Sequence, residues 1–118
     1  QYTAASLVLE NQTLAHPDSV HSLPTSGEQE DHNANAMTAS RHARQLVSNV
    51  RHILAIELYT AARAIDLRML QNPGARLGIG TQKIYNKIRG AVPYQPGDAL
   101  WGREIDAVRC LLESGELG

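Results

Sequence analysis

The sequence is poor in cysteine and has no large excess of charge of either sign. Cys110 is the single cysteine among 118 residues, so no internal disulfide can form and no cysteine cluster can bind a metal. Eleven basic and 12 acidic residues give a net charge of −1, which provides no electrostatic case for binding nucleic acid or an anionic membrane surface. Polar residues interrupt every apolar run before it reaches membrane-spanning length. These absences favour a cytoplasmic protein in a reducing compartment, without a metal, nucleic-acid or membrane partner.

The chain also lacks an initial methionine, since it begins Gln1-Tyr2-Thr3 without a basic leader. We therefore expect no signal peptide, and we expect the sequence to be a piece of a longer protein. Its balance of 42% hydrophobic and 19% charged residues is typical of one modest soluble globular domain.

Prolines and glycines divide the chain into helical segments and predict an all-α fold with one long central helix and shorter flanking helices. Residues 3–15 form the first predicted helix, and 16–24 form a connection. The long helix is predicted at 26–71, where apolar residues recur every three or four positions. Shorter helices are predicted from Thr81 to Arg89 and from Gly102 to Glu113, with Gly115 as the final cap. No segment shows the alternation of a strand.

The predicted start of the long helix has a capping-box spacing. The Ser26 hydroxyl and Gln29 three residues later can satisfy the first free backbone amides, and Thr25 with Glu28 offers the same pairing one residue earlier. In either case the first turn carries acidic side chains, which the positive end of a helix favours. These are Glu28, Glu30 and Asp31.

The length of this predicted helix is informative in itself. Roughly 40 residues at about 1.5 Å each make a rod of about 60 Å, whereas a compact domain of this size is only about 35 Å across. Either the helix breaks near Asn33-Ala34-Asn35, or it belongs to a larger bundle completed by sequence outside this chain or by partner chains. The apolar surface widens between Ile53 and Ile65, which favours the second alternative.

Several other residues have an ordinary structural interpretation. Gly78-Ile79-Gly80 lacks the third glycine and preceding strand of a dinucleotide site, so it predicts a turn. Cys110 lies on the apolar face of the last helix and is expected to be buried there. Glu57 lies in an apolar zone and predicts an ion pair with Arg51, with Arg63 or with a group of another chain. The histidines lack metal-ligand spacing and predict surface roles: His16, His21, His32, His42 and His52.

One stretch is more specific. Pro24-Thr25-Ser26 is followed by Gln29-Glu30-Asp31-His32, and then by Leu54-Ala55-Ile56-Glu57 and Ala64-Ile65-Asp66-Leu67-Arg68. Together with the preceding residues from His16, these motifs resemble the C-terminal part of the histidine ammonia-lyase family. The resemblance is close over about the first 70 residues and looser towards the end.

The resemblance implies a mainly helical fold with a central bundle of very long helices, assembled as a tetramer whose subunits share active sites. It also implies elimination of ammonia from an aromatic amino acid, giving urocanate from L-histidine, by an electrophilic methylidene-imidazolone (MIO) ring made from an internal Ala-Ser-Gly. Here Ala5-Ser6 is followed by leucine and Ala39-Ser40 by arginine, so the ring must come from elsewhere. Residues 1–118 would then be the C-terminal helical portion, without separate domains, inactive until combined with the N-terminal portion of the enzyme.

By the same resemblance, Glu30 matches the active-site glutamate of the family and Gln29 precedes it, so both are expected to contact substrate, with Glu30 catalytic. A carboxylate can accept a charge-assisted hydrogen bond from an imidazole N–H or take part in proton transfer. Relatives that act on phenylalanine or tyrosine tend to carry an amide here, so Glu30 favours histidine. Glu28 replaces a usual asparagine, and Asn33-Ala34-Asn35-Ala36 replaces Val-Ser-Met-Gly, which bears on substrate preference.

Three alternatives stay open at this point. The chain could belong to a lyase or aminomutase for another aromatic amino acid, or be a catalytically inactive helical oligomerisation module. It could also be an unrelated helical protein with a chance motif.

Overall fold

The computed structural model describes residues 1–32 and 35–117, and this part of the chain forms four α-helices and one small β-hairpin. The predicted all-α fold, with one long helix and shorter flanking ones, is confirmed. At about 1.5 Å per residue, the 36 residues of the long helix extend about 54 Å. The elements in order are α1 (Tyr2–Leu14), a 3₁₀ turn (Asp18–Val20), β1 (Leu23–Thr25), β2 (Glu30–His32), α2 (Ala36–Gln71), α3 (Ile79–Ala91) and α4 (Trp101–Glu113).

The predicted helix start at Ser26 is wrong, because this segment forms the turn of the β1–β2 hairpin. Ser26, Gly27 and Glu28 have φ values of 52°, 65° and 69°, which are incompatible with a right-handed helix. Neither predicted capping box forms, and the acidic side chains of this segment lie in a hairpin. The helix α2 begins only at Ala36. Asn33 and Ala34, part of the predicted break, lie outside the described residues.

The chain divides into two compact units, of which the first is Gln1–Val50. It contains α1, the hairpin and the N-terminal part of α2. The contact between α1 and α2 is polar: Asn49, which is only 4% exposed, donates from Nδ2 to Oδ1 of Asn11 at 2.9 Å. Gln45 Nε2 in turn donates to Oδ1 of Asn49 at 2.9 Å. Hydrogen bonding therefore contributes strongly to the packing of this unit, as α1 has no buried residue.

The second unit begins at Arg51 and holds the buried hydrophobic residues of the described chain. The C-terminal part of α2 packs there with α3 and α4. Ile88 of α3 and Val108 of α4 point inward, and both are almost completely buried. The buried core consists of Ala55, Tyr59, Ala62, Ile88, Val92 and Val108.

The buried face of α2 includes only some of its apolar residues. Ala55, Tyr59 and Ala62 follow a helical spacing and are at most 6% exposed, whereas the apolar Val50 and Leu54 are 44% and 41% exposed. The chain thus covers one apolar face of α2 and leaves a second one open.

The other helix boundaries follow the sequence breakers closely. The helix α2 ends at Gln71, directly before the predicted stop at Pro73-Gly74. The helix α3 starts earlier than predicted, since Gly78 rather than Thr81 is its N-cap residue. Gly115 has a φ of 76° after α4, and its amide donates to the carbonyl of Leu112, which confirms the predicted cap.

Candidate active site

The hairpin that carries the predicted site is short and regular. Its strands are antiparallel, with Leu23 opposite His32 and Thr25 opposite Glu30. The Oγ1 atom of Thr25 donates a hydrogen bond to the backbone carbonyl of Glu30 at 3.2 Å. This contact closes the four-residue turn and fixes the backbone at Glu30.

The turn places two side-chain-bearing residues in a left-handed conformation. Ser26 and Glu28 have positive φ, which costs on the order of 1 kcal/mol each, while Gly27 between them adopts it freely. A built Cβ at Gly27 meets no atom within 4 Å, so the glycine is needed for its backbone angle and not for space. The turn leads directly into Gln29 and Glu30.

The polar side chains of β2 lie on both faces of the hairpin. Successive side chains point to opposite faces, so Glu30 and His32 share one face of the hairpin and Asp31 lies on the other. All residues of both strands are exposed. Gln29 lies at the end of the turn, adjacent to Glu30 in the chain and also exposed.

The exposed side-chain carboxylate of Glu30 can accept hydrogen bonds from a bound molecule. Within the described part of the chain, the hydrogen bonds recorded for Glu30 involve its backbone, as partner of Thr25 in the turn and in the ladder. An ionised carboxylate accepts hydrogen bonds from two directions and binds an N–H donor more strongly when one partner is charged. The hairpin is therefore suited to bind a cationic or N–H-bearing group that approaches its Glu30 face.

The base of the hairpin is held by residues that sequence reasoning did not select. Nδ2 of Asn35 donates to the backbone carbonyls of Asp18 and His21, at 2.8 and 2.5 Å. Nδ1 of His42 lies 3.1 Å from Oδ2 of Asp18. The signal in the sequence is the seven-residue spacing of Asn35, His42 and Asn49, which places His42 and Asn49 on one face of α2, with Asn35 directly before the helix.

The other sequence candidates do not form a site. The turn predicted at Gly78-Ile79-Gly80 is wrong, because Gly78 is the N-cap residue of α3 and Gly80 lies in the first turn of that helix. Cys110 is exposed, so its predicted burial is wrong, because the covered face of α4 is centred on Val108 instead. Glu57 is exposed, and the ion pairs found among residues 1–32 and 35–117 do not include it.

His16, His21 and His32 are exposed, as predicted, whereas His42 and His52 are half-buried. The rings of His16 and His21 stack with centroids 5.5 Å apart on the connection before β1. Across the described ranges, no group of three His, Cys, Asp or Glu side chains is placed to hold a metal ion. None of the helices in these ranges combines the length and apolarity that crossing a bilayer requires.

The sequence model of the aromatic amino acid lyases matches residues 1–90 of this chain. That match includes the hairpin with Glu30, all of α2 and nearly all of α3. The chain therefore belongs to the aromatic amino acid lyase family.

Curated relatives named histidine ammonia-lyase are similar to almost the whole chain. The protein from Symbiobacterium thermophilum is 47% identical over 117 residues, or 99% of this chain. The protein from Halalkalibacterium halodurans is 45% identical over 115 residues, or 98% of the chain. The chain spans only 22% of the length of each relative.

Two solved structures share the fold. Histidine ammonia-lyase from Trypanosoma cruzi superposes with a TM-score of 0.88 at 37% identity, covering 98% of this chain and 22% of the other. Ergothionase from Treponema denticola, an ergothioneine-degrading enzyme solved with desmethyl-ergothioneine sulfonic acid, gives a TM-score of 0.84 at 35% identity. It covers 96% of this chain, and the chain again spans 22% of that protein.

Proposed function

We propose that residues 1–118 are the C-terminal helical portion of an ammonia-lyase that eliminates ammonia from L-histidine to give urocanate. The observation that carries this proposal is the identity of 45–47% to proteins named histidine ammonia-lyase along nearly the entire chain. The resemblance of the Gln29-Glu30-Asp31-His32 motif supports the same substrate.

In this proposal Glu30 is the catalytic residue that the chain supplies, and Gln29 binds substrate beside it. The exposed Glu30 carboxylate would accept a hydrogen bond from the imidazole N–H of histidine, or hold a proton next to the reacting carbon. A phenyl ring offers no such donor. Glu30 therefore favours an imidazole substrate over phenylalanine.

The electrophile belongs to another part of the enzyme. When present, the MIO ring supplies the electrophilic centre of the elimination. The 118 residues contain no Ala-Ser-Gly from which such a ring forms. This chain is thus proposed to contribute the substrate contact, and the N-terminal portion of the enzyme to contribute the ring.

The open apolar face of α2 supports assembly with further helices. Val47, Val50 and Leu54 follow the three- and four-residue spacing of one helix face and are between 41% and 49% exposed. A monomeric soluble protein seldom leaves such a stripe uncovered. We propose that the N-terminal portion and neighbouring subunits cover it in a cytoplasmic homotetramer.

The test is urocanate formation from histidine, followed by ultraviolet absorbance, for this chain alone and after combination with the portion that carries the electrophile. We refer to that combination as the complete enzyme. Activity is expected only in the complete enzyme. Activity of the chain alone, or an assembled but inactive complete enzyme, would contradict the proposal.

Assays with two further substrates test the substrate specificity of the complete enzyme. Phenylalanine is the control for an aromatic ring without an N–H, and turnover should be far lower than with histidine. Ergothioneine is included because the similar T. denticola protein degrades it. The identities to the two solved structures are similar, 37% and 35%, so a direct comparison of the two substrates is needed. Preferential turnover of ergothioneine would contradict the proposal.

A further inference from the structure

We propose that Asn35 and His42 of the α2 segment are positioning residues that hold the base of the hairpin and thereby orient Glu30. This inference rests on the proposed role of Glu30 in the complete enzyme. The residues form part of a polar seam, which we define as Asn35, His42 and Asn49.

The first contact of the seam ties the two ends of the hairpin together. Asn35 follows β2, whereas His21 precedes β1, and Nδ2 of Asn35 donates to the carbonyl of His21 at 2.5 Å. This bond closes a loop that contains the entire hairpin. The same Nδ2 donates to the carbonyl of Asp18 at 2.8 Å. One side-chain amide therefore binds the first residue of the 3₁₀ turn and the residue directly after the turn.

The second contact holds the same turn by its side chain. Nδ1 of His42 lies 3.1 Å from Oδ2 of Asp18, without the alignment of a hydrogen bond. The Asp18 side chain is only 15% exposed, so the His42 ring packs against a largely buried carboxylate. Asp18 is therefore held by Asn35 through its backbone and by His42 through its carboxylate.

The third contact extends the seam to α1. Asn49 lies seven residues after His42 and donates to Oδ1 of Asn11 at 2.9 Å. Seven residues are close to two helical turns, so His42 and Asn49 lie on one face of α2. Asn35 directly precedes the helix, where its carbonyl accepts a hydrogen bond from the amide of Ala39. The three seam side chains contact the segment from Asn11 to His21, which leads directly into β1.

The hairpin needs such support because it is small. Its strands have three residues each, all exposed, and an isolated two-stranded hairpin is marginally stable in water at best. Its turn also contains the unfavourable φ angles of Ser26 and Glu28. The hydrogen bonds at its base are thus the contacts that fix Glu30 relative to α2.

The test combines Asn35→Ala with Glu30→Gln in the complete enzyme. A group misplaced by about 1 Å can cost as much as a hundredfold in rate, so Asn35→Ala should lower kcat/KM for histidine by about tenfold to a hundredfold. Because the effect acts through the Glu30 carboxylate, the same change in the Glu30→Gln background should cost no more than about twofold. His42→Ala should behave in the same way, more weakly. Arg44→Ala, on an exposed part of α2, is the matched control and should change neither background.

A readout independent of activity is hydrogen exchange of the peptide that contains β1 and β2. Asn35→Ala should accelerate its exchange while α3 and α4 keep their protection. Unchanged exchange in the hairpin, or a full loss of activity on top of Glu30→Gln, would overturn the positioning role. If Glu30→Gln alone has no effect, the proposed function of Glu30 is wrong and the seam has no catalytic group to orient.

Discussion

Nη2 of Arg89 lies 2.5 Å from Oδ2 of Asp66, and this ion pair joins α3 to α2 inside the second unit. The two side chains are only 13% and 7% exposed. The hydroxyl of Tyr85 donates to the other carboxylate oxygen at 2.5 Å, and Nη1 of Arg89 donates to the carbonyl of Val92 at 3.0 Å. Both oxygens of the buried carboxylate are therefore paired.

Asp66→Ala should strongly destabilise the second unit, since it leaves the largely covered Arg89 charge and the half-buried Tyr85 hydroxyl without their acceptor. Removal of one partner of a buried pair typically costs 3–5 kcal/mol, so a loss of about this size in the free energy of unfolding is expected. Urea denaturation followed by Trp101 fluorescence measures it. Asp106→Ala is the control, because Asp106 is 58% exposed beside Arg109 and should cost at most about 1 kcal/mol. Equal losses for the two variants would contradict the assignment.

Tyr59 should make the fold sensitive to alkaline pH. Burial, the hydrogen bond to Glu104 and the negative charge of Glu104 raise the pKa of Tyr59 to about 12, against a lowering effect of Arg63. An unfolded tyrosine ionises near pH 10, so the stability that comes from this shift is fully present below pH 10 and is lost as the pH rises towards 12.

The measurement is the free energy of unfolding of Tyr59→Phe and of the unchanged chain from pH 8 to pH 12. Tyr59→Phe should decline less over the upper half of this range. Tyr2→Phe, at an 87% exposed position, should follow the unchanged chain. A residual decline is expected, because the hydrogen bond with Asp66 and burial also raise the pKa of Tyr85. Parallel curves for all three proteins would refute the role of Tyr59.

Arg63 should be replaceable by neither alanine nor lysine. Its guanidinium carbon lies 4.3 Å from the ring centroid of Trp101, and its Nη2 and Nη1 atoms donate to the carbonyls of Gly97 and Gln95 at 2.6 and 3.2 Å. Lysine keeps the charge but cannot supply this fork of donors.

We expect Arg63→Lys to cost about 1–2 kcal/mol and to shift the emission of Trp101, the single tryptophan, to longer wavelength. Arg68→Lys, at an exposed position of the same helix, is the control and should change neither quantity. An Arg63→Lys variant with unaltered emission and stability would show that charge alone suffices at this position.

The sequence was sufficient to predict where α2 and α4 end, because strong local signals mark both positions. Pro73 and Gly74 stop α2, and Gly115 supplies the left-handed residue after α4. These effects act within a few residues and do not depend on tertiary contacts.

The hairpin could not be predicted in the same way. Three-residue strands are too short to show alternation, and Ser26 with Gln29 imitates a helix start. What decides the structure is the left-handed backbone at Ser26 and Glu28, two residue types that seldom adopt it. The resemblance to the lyase family nevertheless identified Glu30 as a candidate before its structural context was known.

Contacts between residues that are distant in the sequence also could not be predicted from the sequence. Nothing local pairs Asn35 with His21, or Tyr59 with Glu104. The predicted burial of Cys110 failed for a related reason, since packing against α2 and α3 decides which face of α4 is covered. Helix periodicity defines candidate faces, but only the partner elements select among them.

The most direct measurement is the turnover of histidine by the complete enzyme carrying Glu30→Gln, compared with Glu28→Asn. The second change removes the same charge two residues away and installs the residue usual in the family. We predict a loss of at least about a hundredfold in kcat/KM for Glu30→Gln, the usual scale of a lost acid–base group, and less than about threefold for Glu28→Asn. Full urocanate formation by Glu30→Gln would contradict the assignment of this carboxylate to the active site.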